Sequence, residues 1–116
     1  MVLVAAMVAS LSCATTLTPR PPLAAPAAVR FVLRQPAAHS VAVAGSFNSW
    51  SPSAHPMMRE GSGPRWTAVV ALPPGEYFFM FVVDGTEWVS PPFAEAYVDD
   101  GFGAKNGVIV VRPVEE

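Results

Sequence analysis

The sequence predicts an all-β antiparallel sandwich, and three observations carry that prediction. Its apolar residues come in short β-branched and aromatic runs. A total of 13 Pro and 8 Gly interrupts those runs too often for long helices, and the runs recur at the spacing of strands joined by tight turns. Each sheet built from such strands has one apolar face that only a second sheet can cover. At 116 residues the chain has the ordinary length of one domain.

The folded part is expected to start near Val29, where VRFVLR alternates Val29, Phe31 and Leu33 against Arg30 and Arg34, as a half-buried strand does. SVAVAG repeats the pattern with Val41 and Val43 inward. The stretch from Pro52 to Arg65 has the Gly and Pro content of a solvated connection. WTAVVAL (Trp66 to Leu72), a Pro73-Pro74-Gly75 turn, YFFMFVV (Tyr77 to Val83), an Asp84-Gly85 hairpin signal, TEWV and GVIVV (Gly107 to Val111) follow. Six or seven short strands result, with no helix longer than about two turns. The expected core is Val29, Phe31, Val41, Val43, Phe47, Phe79, Phe81 and Val110. Period-two counting along Tyr77 to Val83 leaves Phe78, Met80 and Val82 as an unusually apolar outer face, either a ligand platform or a surface covered by a partner protein.

Ahead of this domain, residues 1–14 are apolar and end in small residues, too few to cross a bilayer and suited to a secretory signal, with Ser12 and Ala14 at the small positions of its cleavage site. No Lys or Arg precedes that apolar run. The expectation is export to the cell envelope or medium, with cytoplasmic residence as the alternative. Cys13, the single cysteine, is either discarded with the signal or lipidated, a lipid on it being the one route to a membrane. Residues 15–28, rich in Pro, Ala and Thr, read as an extended linker and residues 29–116 as the domain.

Composition also excludes classes of function. A formal charge of -2 and a 14% charged fraction offer no basic patch for nucleic acid. His39 and His55 have no companion at metal spacing, so neither a metal nor a cofactor is expected. Glycoside hydrolysis would need two carboxylates facing across a cleft, but Asp84, Asp99 and Asp100 sit at or beside glycine turns, where backbone geometry alone favours Asp. No catalytic residue is assigned. GSFNSW, Gly45 to Trp50, is different: a turn that carries two large aromatics, of which Phe47 is expected to tuck into the sandwich and Trp50 to project.

The blocks VAVAGSFNSWSP, LPPGEYFFMFVVDGTEWVSPP and GAKNGVIVV resemble the glycogen-binding module of the AMP-activated kinase beta subunit, and are similar to the early-set domains of isoamylases and glycogen branching enzymes. The resemblance runs from about Val29 to Arg112. It implies an immunoglobulin-like (early-set) antiparallel β-sandwich that binds α-1,4-linked glucans on one face with two exposed tryptophan platforms, here Trp50 and Trp88. Asn106 retains the family's asparagine that bonds sugar hydroxyls, and Phe102 stands where a leucine contacts the glucan. Met80 replaces a lysine and Ala104 a threonine, departures that weaken the expected affinity.

Chemistry independent of the resemblance agrees, because the C–H faces of a pyranose suit the negative face of an aromatic ring and an asparagine offers both donor and acceptor to hydroxyls. Two readings follow: a non-catalytic α-glucan-binding module, or an immunoglobulin-like protein-interaction module that has lost sugar binding and docks a partner on Phe78, Met80 and Val82. Exposure of Trp50 and Trp88 on a common face separates them.

Overall fold

The computed structural model describes residues 25–113. The apolar run 1–14, with Cys13, and residues 15–24 of the expected linker lie outside them. Eight strands run in chain order: β1 Ala27–Arg34, β2 Val41–Gly45, β3 Met58–Arg59, β4 Arg65–Leu72, β5 Gly75–Val83, β6 Glu87–Val89, β7 Ala96–Asp99 and β8 Lys105–Val111. The one helical element among the described residues is a 3-10 turn, Ser46–Asn48, directly after β2. β1, β4 and β3 form one sheet; β2, β5, β8 and β7 form the other, with β6 also pairing to β5. Every pairing is antiparallel.

Residues that alternate on facing strands fill the space between the sheets. Phe31 and Leu33 from β1, Trp66, Val70 and Leu72 from β4, Val41 and Val43 from β2, and Phe79, Phe81 and Val83 from β5 form one buried cluster. Aromatic edges organise its centre, with the Phe31 and Phe79 centroids 5.0 Å apart and Phe79 and Phe81 5.7 Å apart, both edge-to-face. Val29 and Phe47, half-buried, pack against the cluster from its margin. Trp66 is buried and donates its indole N–H to the Gln35 carbonyl at 2.9 Å, with the Arg59 guanidinium 4.8 Å above its ring. Arg59 also bonds the Ala38 and Gly63 carbonyls, closing the end of the sandwich.

Four expectations are corrected. Val110 pairs with Glu76, and its neighbours Ile109 and Val111 face the core, so Val110 points to the outer side of the sheet. Gly107 sets that phase: it pairs with Phe79, whose ring, with Pro91, leaves no room for a Cβ. Second, the stretch Pro52 to Arg65 is more than a solvated connection, because it contributes β3 and the buried Met57. Third, Asp99 belongs to strand β7, where it pairs with Lys105. Fourth, the apolar outer face of β5 is not open: Met80 is 5% and Val82 1% exposed, and Phe78 is half-buried.

Candidate binding site

What covers Val82 is the chain itself. β2 is buried on both faces, and its outward residues Ala42 and Ala44 stand directly opposite Val82 and Met80 of β5. Alanine leaves a shallow bed there, and Trp50 packs onto the patch formed by Ala42, Ala44 and Val82. Trp50 is therefore half-buried rather than freely projecting: part of the indole is spent on the sheet and part is left to solvent.

The turn that delivers Trp50 is tied by one side chain. Asn48 Oδ1 accepts the backbone N–H of Gly45 at 3.0 Å and of Ser51 at 3.2 Å, while its Nδ2 donates to the Val43 carbonyl at 3.1 Å and meets His55 Nδ1 at 2.8 Å. All the ordinary hydrogen-bonding capacity of the amide is in use. The Trp50 N–H returns to the Gly45 carbonyl at 2.9 Å. Within this clasp Ser49 and Trp50 take left-handed backbone, with φ of 58° and 59°, a conformation that a bulky residue adopts only when its surroundings impose it. Gly45 is required by space, since a Cβ would strike the Phe78 carbonyl and the Phe47 ring. His55, expected as an isolated polar loop residue, stacks edge-on to Phe47 at 5.6 Å and belongs to the same clasp.

Trp88 comes from the other side of β5. The β5–β6 turn places Asp84 and Gly85 at positive φ, and the register sets Trp88 directly across from Val82, on the face that Trp50 covers, with Trp88 43% exposed. Asp84 Oδ1 accepts the N–H groups of His39 at 2.7 Å and Ser40 at 3.0 Å, so the hairpin is tied to the start of β2. Those two backbone bonds hold the Asp84 carboxyl below its ordinary value of 3.8.

The third wall is the β7–β8 hairpin. Its tip, Asp100 to Ala104, carries Phe102 between two glycines at positive φ, and Phe102 is 93% exposed. Asn106 follows on β8, adjacent to the Gly107 that pairs with Phe79. Trp50, Met80, Trp88, Phe102, Ala104 and Asn106, all six residues singled out in the sequence, line one open depression of about 580 Å³. Asp100 is its seventh lining residue, and sequence reasoning read it only as a turn former. A separate groove of about 660 Å³, between β1 and residues 92–95, shares no residue with it. Three of that groove's aromatic walls, Phe31, Phe79 and Phe81, are at most 4% exposed and present almost no ring face to a ligand.

The depression can hold a ligand with apolar faces and hydroxyl edges: two indoles and a phenyl ring supply the stacking surface, and one primary amide supplies hydrogen bonds. Among the described residues no cluster of side chains could hold a metal ion.

Sequence comparison agrees with this arrangement. The family described as the glycogen recognition site of AMP-activated protein kinase matches residues 27–116. The chain belongs to this family. It is 38% identical over 72 residues to 5'-AMP-activated protein kinase subunit beta-1 of Sus scrofa, an alignment covering 62% of this chain and 54% of that protein. To the Homo sapiens subunit beta-1 it is 36% identical over 75 residues, 65% of this chain and 26% of that one. A 43-residue stretch is 51% identical to 1,4-alpha-glucan branching enzyme GlgB 2 of Xanthomonas campestris pv. campestris (strain 8004), covering 37% of this chain and 6% of the enzyme. The chain thus spans about half or less of the relatives it matches.

Proposed function

We propose that this domain is a non-catalytic module that binds α-1,4-linked glucans, such as glycogen, starch and maltooligosaccharides. The observation that carries the reading is the convergence of Trp50, Trp88, Phe102 and Asn106 on one depression of the five-stranded sheet. Trp50 and Trp88 are the stacking platforms, Phe102 contacts the glucan from the loop, and Asn106 bonds hydroxyls at the edge. The family's description, which names glycogen, supports the ligand class. A non-catalytic role is supported by the carboxylates: Asp100 is the one carboxylate lining the depression, whereas glycoside hydrolysis in its usual form uses a facing pair. The protein-interaction reading loses its motivation, because the Met80 and Val82 surface it needed is buried.

Met80 and Ala104 offer no hydrogen-bonding groups where the family's lysine and threonine would, so affinity is modest: a dissociation constant of about 10 µM to 1 mM for a maltooligosaccharide of several glucoses. Calorimetric titration of the full chain with maltoheptaose tests the proposal, and no heat of binding at millimolar ligand would refute it. Export directed by residues 1–14 is part of the same proposal, and fractionation of cells expressing the full chain checks it.

A further inference from the structure

The depression contains one ionisable side chain, and it is acidic. Asp100 lines the site, with no Lys, Arg or His among its companions. The nearby Lys105 precedes Asn106 on β8, so by strand alternation it leaves the opposite face, where it meets Asp99 at 3.3 Å. Asp100 is also the keystone of the Phe102 loop. Its Oδ1 accepts the backbone N–H of Phe102 at 2.7 Å and of Ala104 at 3.1 Å, and its own N–H donates to the Ala104 carbonyl at 3.0 Å. No protein donor reaches its second oxygen among the described residues, so the negative charge stays at the rim of the site, uncompensated by a cation.

We propose that Asp100 is a specificity-determining residue: it fixes Phe102 over the depression and, through its charge, confines the site to uncharged glucan segments, discriminating against α-glucans that carry phosphate esters. The inference rests on the glucan reading above and adds the ligand charge. A phosphate monoester carries close to two negative charges at neutral pH, and at the few ångströms separating a bound sugar from the rim its repulsion by one carboxylate amounts to roughly a tenfold loss of affinity at low salt. Met80, which also lines the depression, is uncharged and supplies no counter-charge to Asp100.

The test is calorimetric titration of the full chain with chemically phosphorylated maltooligosaccharides and with the same preparation after phosphatase treatment. The readout is the ratio of the two dissociation constants. The wild type is expected to favour the dephosphorylated ligand by roughly tenfold at low salt, shrinking toward parity in 0.5 M salt as the charges are screened. Asp100→Asn, which keeps an Oδ1 acceptor for the Phe102 and Ala104 amides, is expected to bring the ratio to within about twofold of one at low salt. Asp100→Ala is expected to lower affinity for both ligands as the Phe102 loop loosens. Glu95→Gln, which removes a negative charge outside the depression, is the control for net charge and is expected to keep the wild-type ratio. A wild-type ratio near one, or a ratio unmoved by Asp100→Asn, overturns the charge assignment while leaving the glucan reading intact. Absence of binding to either ligand by the wild type overturns the glucan reading and this inference with it.

Discussion

Asn48 and His55 are joined by a 2.8 Å hydrogen bond, and that bond completes the clasp on which Trp50 stands. Asn48→Ala removes acceptors from two backbone amides and a donor from the Val43 carbonyl. The expected cost is about 2–3 kcal/mol, because half-buried backbone groups are left without partners. Glucan affinity is expected to fall with it, because the turn that holds Ser49 and Trp50 at positive φ loses its Asn48 tie to Gly45 and Ser51. Chemical denaturation and maltoheptaose titration of the same variant check both.

The two tryptophans of the depression should separate in a thermal melt. Trp50→Ala and Trp88→Ala are each expected to abolish measurable binding. Trp50→Ala also uncovers Ala42, Ala44 and Val82 and is expected to cost about 1–3 kcal/mol of stability. Trp88→Ala, at a residue 43% exposed, should cost less than Trp50→Ala. Equal melting temperatures for the two variants would contradict the packing described.

Trp66 is the counter-case, a tryptophan of the core in the other sheet. Trp66→Ala is expected to destabilise the domain by about 3–5 kcal/mol, losing ring burial, the bond to the Gln35 carbonyl and the Arg59 contact. Below the melting temperature, its affinity for maltoheptaose should stay near the wild-type value, as titration at low temperature would show.

Met80→Lys places a cation at the floor of the depression. It is expected to tighten glucan binding a few-fold, since a lysine stem can occupy the methionine's space while its ammonium reaches the opening toward hydroxyls and Asp100. Its melting temperature should drop slightly, because the floor is buried. Unchanged or weaker binding would show that the ammonium does not reach the sugar.

Acid stability should carry the signature of Asp84. Its folded-state pKa is lowered by the His39 and Ser40 amides, so its contribution is fully present above the ordinary value of 3.8 and is lost as pH falls through the lower folded value. Melting temperature should therefore decline below about pH 4, and Asp84→Asn should flatten that limb while keeping the turn's acceptor. A limb of the same steepness in the variant would assign it to other carboxylates.

Most strands were legible because period-two alternation survives wherever one face meets the core, as along Phe31 and Leu33 or Phe79, Phe81 and Val83. It fails where alternation carries no contrast. Val108 to Val111 is apolar throughout, so its phase depends on Gly107, a residue with no side chain to read, and Val110 was assigned to the wrong face. β7 is exposed at every position and β3 is two residues long, and neither leaves a pattern. The residues of the depression were named from a resemblance in three separate blocks, and the fold brings all three blocks to one face. What motif and periodicity could not supply was Trp50's second contact, which is signalled only by Ala42 and Ala44 at the outward positions of β2. Asp100 was missed for another reason. The turn explanation for it is correct, with its Oδ1 accepting two backbone amides, but it accounts for only one of the two carboxylate oxygens.

β6 and β8 both pair with the same edge of β5, while β2 lies along the other. Trp88 rides on β6, Asn106 on β8, and Trp50 lies over β2 and β5, so the distances between these groups are set by the backbone hydrogen-bond ladder. The face therefore works as a ruler graduated in two directions, by strand spacings of about 4.8 Å across the sheet from β2 to β6 and β8, and by residue rises of about 3.3 Å along the edge that carries β6 and β8. A polymer is measured against it by pitch and curvature, and redesign of the ligand preference has to go through the Asn48 turn and the Phe102 loop, the two parts of the surface that the ladder does not fix.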